Sequence, residues 1–156
     1  MIRVVLKATL LLLAGGESKR MGQPKALLPV GAITLVEWLA DRLAGIEAGL
    51  HAATTEVMVA VACDMPRATP ELAEKLIVLS EGHDAAVPRI GGRPEPAFAC
   101  YRQTAAWAIG EALDMGRLKA AGALAHMDVA WLDNADRKLF WNINTPKDYQ
   151  VFLSAL

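Results

Sequence analysis

Three short stretches hold residue types whose spacing could do chemistry. In "LLLLAGGESKRMGQPK", residues 10–25, an aliphatic run breaks into Gly15-Gly16 and is followed by Lys19, Arg20, Gly22 and Lys25. Paired glycines after a strand let the backbone turn sharply and approach a ligand closely. Successive N–H groups in such a turn form an anion nest, and Lys19, Arg20 and Lys25 could add charge to a polyphosphate. In "VAVACDMP", Asp64 ends an apolar run and Pro66 turns the chain outward. A carboxylate there could bind Mg²⁺, which takes few protein ligands beside substrate phosphates, or it could cap a turn. In "FWNIN", Asn142 and Asn144 lie two apart, so an extended backbone puts both amides on one side.

Other chemistries find less support. A Walker loop needs Gly-x4-Gly-Lys, and neither Gly15 nor Gly16 has a glycine five residues on. The dinucleotide Gly-x-Gly-x-x-Gly is also missing, so the loop is a third kind of phosphate loop or merely a turn. His51, His83 and His126 share no ligand spacing. No Ser-His-Asp or Cys-His set stands out. Cys63 and Cys100 are too few for a disulfide framework and are expected as reduced, semi-buried thiols.

The elements that must position these residues alternate in type. Val4–Leu6 and Leu10–Leu13 suit a buried parallel strand. A signal peptide would need a cleavage-like Ala-x-Ala after its apolar core, and none follows. Thr34 with Glu37 has the spacing of a capping box, and Leu35, Trp38, Leu39 and Leu43 form a helical stripe. "GIEAGLHAA" continues in helix-compatible residues. "EVMVAVACDMP" predicts a strand, and Thr69-Pro70-Glu71 opens a helix running to about Leu79. "HDAAVPRI" and "PAFACY" predict strands on either side of a "GGRP" turn. "TAAWAIGEAL" and "GRLKAAGALAHM" predict helices, "DVAWL" a strand, and Thr145-Pro146 caps a last helix with a Tyr149, Phe152, Leu153 stripe. Trp38, Trp107 and Trp131 are expected in the core, while Trp141 suits either core or site.

This order predicts an α/β fold of three layers, with a mostly parallel sheet covered on both faces. Such folds bind ligands at the carboxyl ends of strands, which is where the three stretches fall. The 156 residues suggest one domain, 1–156. With 54% apolar and 21% charged residues there is material for a full core. A net charge of −1 gives no reason to expect nucleic acid or a membrane surface as partner, and no apolar run reaches the ~20 residues of a membrane span. A cytoplasmic protein is expected.

"LLLAGGESKRMGQPKALLPV" resembles the signature of nucleotidyltransferases with the Rossmann-like sugar-nucleotide pyrophosphorylase fold, and within them the molybdenum cofactor guanylyltransferases. The pattern falls on Leu13, Ala14, Gly15, Gly16, Arg20, Met21, Gly22 and Lys25. "CDMP" resembles the family's metal-binding segment and "NINTP" its Asn-x-Asn-Thr-Pro signature. The resemblance implies nucleotide binding by Leu13, Ala14, Gly15, Gly16 and Lys25. It implies catalytic roles for Lys25, Asp64 and Arg20, with Asp64 as the Mg²⁺ ligand. Asn142, Asn144 and Arg89 would hold the acceptor, and "VPRIGGRPEPAFACYR" resembles the acceptor-side stretch, where Arg89, Arg93 and Arg102 are either anion contacts or the solvated arginines of an ordinary hairpin. The implied reaction moves GMP from GTP to the phosphate of molybdenum-molybdopterin and releases pyrophosphate. Molybdoenzyme maturation proteins would be further partners. CTP or another nucleotide as donor, or a catalytically weak accessory protein that binds nucleotide or cofactor, are the alternatives.

The chain also departs from that family. Leu43-Ala44-Gly45-Ile46 looks like the tail of a Gly-Pro-Leu-Ala-Gly segment fused to the preceding helix. On the order of 30 residues, about one βαβ-like unit, is missing near 43–45. In the family, part of the base-recognition surface comes from that stretch.

Overall fold

The computed structural model describes residues 8–14, 20–39, 56–115 and 120–156. Val4–Leu6 and "GIEAGLHAA" lie outside the described residues. β4 (Val57–Ala62) is an inner strand of the sheet, and its β-branched and small residues are largely buried on both faces. β1 (Thr9–Leu13) pairs parallel to one side of it, with Leu13 opposite Ala62. On the other side lies β7 (Phe98–Arg102), antiparallel, followed by β5 (Ala85–Ile90). β8 (Val129–Leu132) pairs parallel with β5. β1, β4, β5 and β8 therefore run one way, and β7 runs against them.

The reversal of β7 has a local cause. Gly91 and Gly92 both have positive φ, 58° and 78°, in the two-residue turn between β5 and β6 (Arg93–Pro94). Two positive φ values make the tight hairpin turn that glycine pairs favour. The chain thus returns beside β5, whereas a parallel return needs a crossover of a dozen or more residues.

Both faces of the sheet are covered. On one, Val57, Val59, Val61 and Phe98 pack against Leu72, Ala73, Leu76 and Ile77 of α2 (Pro70–Leu79). Those helix positions make a stripe of period 3.6. Thr69 caps α2 by accepting from the Leu72 N–H at 3.3 Å, with Pro70 opening the first turn. On the other face, Ala60, Val87, Ala99 and Tyr101 meet Ala105 of α3 (Ala105–Asp114) and Leu124. Burial pushes the Tyr101 phenol up to about 12, while its hydroxyl donates to the Pro96 carbonyl. The second helix expected at "GRLKAAGALAHM" is only α4 (Ala120–Ala123) and a 3-10 turn over Leu124–His126 among the described residues.

Two burial expectations are corrected. Leu11 and Leu13 of β1 are each 40% exposed, while Leu10 and Leu12 on the opposite face pack against the core. An aliphatic run looks the same whether one or both of its faces find cover. Trp107 is 71% exposed rather than in the core. Ala105, Ala108 and Ala112 form the buried stripe of α3 at helical spacing, and Trp107 falls off it.

A third cluster decides the site. α5 (Pro146–Leu153) packs its Phe152 against Leu28, Val30, Leu35 and Ile143. Leu35 begins α1, whose described residues are 35–39 and whose Thr34–Glu37 capping box is formed. Val30 belongs to β2 (Pro29–Val30), the hairpin partner of β3 (Ile33–Thr34). Trp38 meets Phe152 edge-on at 5.0 Å, and the Tyr149 hydroxyl donates to the Pro29 carbonyl. The carboxyl-terminal helix is thereby fastened to the segment just after Lys25.

Candidate active site

The ladder between β1 and β4 runs one step beyond the strands, because the Cys63 N–H donates to the Leu13 carbonyl at 3.0 Å. A turn closed by Met65 N–H to the Ala62 carbonyl then presents Asp64 at the carboxyl end of β4. The Asp64 carbonyl accepts from the Ile143 N–H at 2.9 Å, which ties the "NIN" segment to the same turn. Ile143 is fully buried, while Asn142 and Asn144 both line one pocket. The alternation expected of an extended segment brings the two amides to one side.

Lys25 opens a short 3-10 helix, Lys25–Leu27, after Pro24. Its ammonium donates to Asp64 Oδ2 at 3.0 Å and to Asn144 Oδ1 at 2.8 Å. The Lys25 and Asp64 side chains are 18% and 23% exposed, so the pair is shielded without being sealed. Asn144 is held in turn by α5. Its N–H donates to Asp148 Oδ2 at 3.0 Å, beside the capping box of Thr145 and Asp148. The Thr145 hydroxyl and nearby N–H groups hold the Asp148 carboxyl below the usual carboxylate range.

The donor set fits a divalent cation bound together with phosphates. Asp64 offers hard carboxylate oxygen and Asn144 an amide oxygen. No group of three or more His, Cys, Asp or Glu among the described residues could hold a metal. Mg²⁺ suits such a site, because it keeps waters and binds through one or two carboxylates plus substrate phosphates. Cys63 adjoins Asp64, but burial, and then the Asp64 charge, push its thiol up. Both effects favour the thiol over the reactive thiolate.

The other expected residues are placed as follows. Leu13 and Ala14 stand at the end of β1, directly beside the Cys63–Asp64 turn. Arg20 is exposed in a turn. Gly15, Gly16 and Lys19 lie outside the described residues. Arg89 is not on the pocket wall. Its guanidinium makes a two-point ion pair with Asp133 at 2.7 and 2.9 Å and stacks over Trp131 at 4.6 Å. Arg102 donates to the Ser80 carbonyl at 2.8 Å. Arg93 does line the pocket.

That pocket, a cavity of about 810 Å³, opens beside Asn144 and also takes in Arg67, Glu95, Arg137, Lys138 and Trp141. Sequence reasoning passed over Arg67, Arg137 and Lys138. Arg67 stands three residues after Asp64, and "DRK" four residues before Asn142, so proximity to the motifs was the available signal. Burial, and to a smaller extent the Asp64 charge, push the Glu95 carboxyl up. The Oδ1 atom of Asn142 is buried with no hydrogen-bond partner among the described residues.

Known proteins share the sequence and the fold of this chain. The MobA-like NTP transferase domain model matches residues 10–46 and 42–130. A probable molybdenum cofactor guanylyltransferase of Pelotomaculum thermopropionicum is 32% identical over 186 aligned residues, covering 92% of this chain and 91% of the relative. The alignment is longer than the 156-residue chain. The two matched stretches of the family model overlap at residues 42–46, the region of the seam expected from the sequence. Among solved structures, molybdopterin-guanine dinucleotide biosynthesis protein A of Archaeoglobus fulgidus shares the fold with a TM-score of 0.78 at 24% identity, covering 94% of this chain and 97% of that one. A Mycobacterium tuberculosis protein in complex with manganese has a TM-score of 0.63 at 17% identity, covering 97% and 100%. The chain belongs to the MobA-like NTP transferase family and is a nucleotidyltransferase.

Proposed function

We propose that this enzyme transfers GMP from GTP to the phosphate of a molybdopterin acceptor carrying molybdenum, giving the guanine dinucleotide and pyrophosphate. The observation that carries the reading is the junction of Lys25, Asp64 and Asn144, built from three distant parts of the chain. The molybdenum cofactor and the guanine base come from the names of the relatives. The cytoplasm is the proposed place of action.

The chemistry asks little of a base. An acceptor phosphate oxygen is already an anion. It attacks the α-phosphorus, a new P–O bond forms, and the bond to the β-phosphate oxygen breaks to release pyrophosphate. Catalysis then rests on alignment and on stabilising charge. Lys25 neutralises phosphate charge once nucleotide draws it from Asp64, and the loop Leu13–Gly16 cradles the nucleotide. Arg20 adds charge from the same loop. Asn142 and Asn144 orient the acceptor. Mg²⁺, held by Asp64, would supply Lewis-acid stabilisation of the phosphate oxygens.

Thermal unfolding with Mg²⁺ and GTP, CTP or ATP in turn tests the nucleotide half. A ligand at ~100 times its Kd adds about 2.7 kcal/mol, and ~2–4 °C per kcal/mol makes that several degrees. The expected outcome is a shift with GTP that Asp64→Ala abolishes. A larger shift with CTP would reassign the base. No shift with any nucleotide would leave an accessory protein. Pyrophosphate release only when GTP, Mg²⁺ and the molybdopterin acceptor are all present tests the transfer.

A further inference from the structure

We infer that Arg67, Arg93, Arg137 and Lys138 form a second anion subsite, separate from the phosphate centre at Lys25, which grips a remote anionic group of the acceptor. This rests on the reading of the pocket beside Asn144 as the acceptor half of the site. The four cations come from three places: the turn after β4, strand β6, and the 3-10 turn Arg137–Phe140. All four line the same cavity of about 810 Å³. A cavity of that size has room for a whole small molecule, of which one anionic group would occupy the basic part.

Solvated surface cations are common, so their company decides the matter. Among the described residues, none of the four stands within ion-pairing distance of a carboxylate. The three carboxylates on the wall are turned to backbone N–H groups instead. Asp136 accepts from the Lys138 N–H at 3.0 Å. Asp148 accepts from the N–H groups of Asn144 and Thr145, and Glu95 from that of Ala97. Arg67 is half-buried and lies over the Trp141 ring at 4.9 Å. Stacking fixes the guanidinium plane and leaves its donor edge for a ligand.

The amide of Asn142 supplies an independent sign of a ligand. Its Oδ1 is buried, has no partner among the described residues, and belongs to a residue of this same wall. Buried acceptors without a donor are rare in folded proteins. A ligand that carries an N–H or O–H donor would complete it. Lys25 and Asp64 do not line the cavity, whereas Asn144 touches both regions. The acceptor class is therefore a molecule with its reacting phosphate at Asn144, a hydrogen-bond donor at Asn142, and a second anionic group among the arginines.

Inorganic phosphate is the probe. It is titrated into the full chain by calorimetry at constant ionic strength, with GTP and Mg²⁺ present to fill the Lys25 centre. The double variant Arg137→Gln/Lys138→Gln is expected to weaken phosphate binding at least ~10-fold, the scale of one lost charge-assisted contact. GTP affinity should stay within about twofold, since neither residue touches the Lys25 centre. Trp141 fluorescence should follow phosphate in the parent and not in Trp141→Phe. Equal phosphate binding by parent and double variant overturns the subsite. So does phosphate binding that Lys25→Ala abolishes, because the ion then sits at the phosphate centre. If GTP fails to bind while Arg137 and Lys138 still control phosphate, the guanylyl reading falls and the subsite stands.

Discussion

Lys25 is the residue on which the proposed chemistry turns. Its ammonium holds Asp64 and Asn144 together, the same groups that metal and phosphates would claim. Lys25→Ala and Asp64→Ala are each expected to lower turnover at least ~100-fold, the scale of one preorganised electrostatic contact. Pyrophosphate release with acceptor present checks both; either variant turning over near the parent rate removes that residue from the mechanism. Asn142 predicts a split between stability and activity. A buried acceptor without a partner costs about 1–3 kcal/mol, so Asn142→Ala should melt no lower than the parent while turning over more slowly. A lower melting temperature together with unchanged turnover would make Asn142 a structural residue. Glu95 belongs to the same scale. Its folded pKa lies above the unfolded value because burial penalises the charge. Its ionisation therefore opposes folding as pH rises from the unfolded value, and Glu95→Gln should raise the melting temperature at pH 7 but not at pH 3.

The element that sets the geometry is α5. Thr145 accepts from the Asp148 N–H at 3.2 Å, and the Asp148 carboxylate returns the bond to the Thr145 N–H at 2.8 Å. The same carboxylate also holds the Asn144 N–H. Thr145→Ala should cost about 1 kcal/mol, as lost helix caps do, and should weaken nucleotide binding through Asn144. Calorimetric melting and a GTP titration check the two parts. The sign of the pH dependence follows from the lowered Asp148 pKa. A carboxyl with a depressed folded value contributes stability above its unfolded pKa and loses it as pH falls through the folded value. The parent should therefore lose stability on acidification more steeply than Thr145→Ala. Parallel acid limbs would mean that the box carries no such linkage.

At the scale of the whole molecule, two clusters on the faces of the sheet make the body, and the third makes the site. Ile143 sits in that third cluster, fully buried between the two amides, with its N–H on the Asp64 carbonyl. Ile143→Ala should cost about 2–5 kcal/mol, the range for large-to-small core changes. A stability loss with unchanged GTP affinity would show that the amides hold their place without it. The family match runs in two stretches that overlap at residues 42–46.

The sequence by itself determined the local pieces. Its periods of two and 3.6, its Thr-Pro helix starts and its glycine pair mark β4, α2, α5 and the β5–β6 turn, because these depend on near neighbours in the chain. The motif spacings also marked Lys25, Asp64, Asn142 and Asn144 as candidates. What only the tertiary structure decided was company. Lys25 and Asn144 are 119 residues apart and meet because Phe152 and Tyr149 pack α5 onto the segment after Lys25. Arg89 had the right type for an anion site, yet it faces Asp133 and Trp131. Arg137, plain in the sequence, stands on the pocket wall. Charge type is legible one residue at a time, but which charges face one another is set by packing between distant segments.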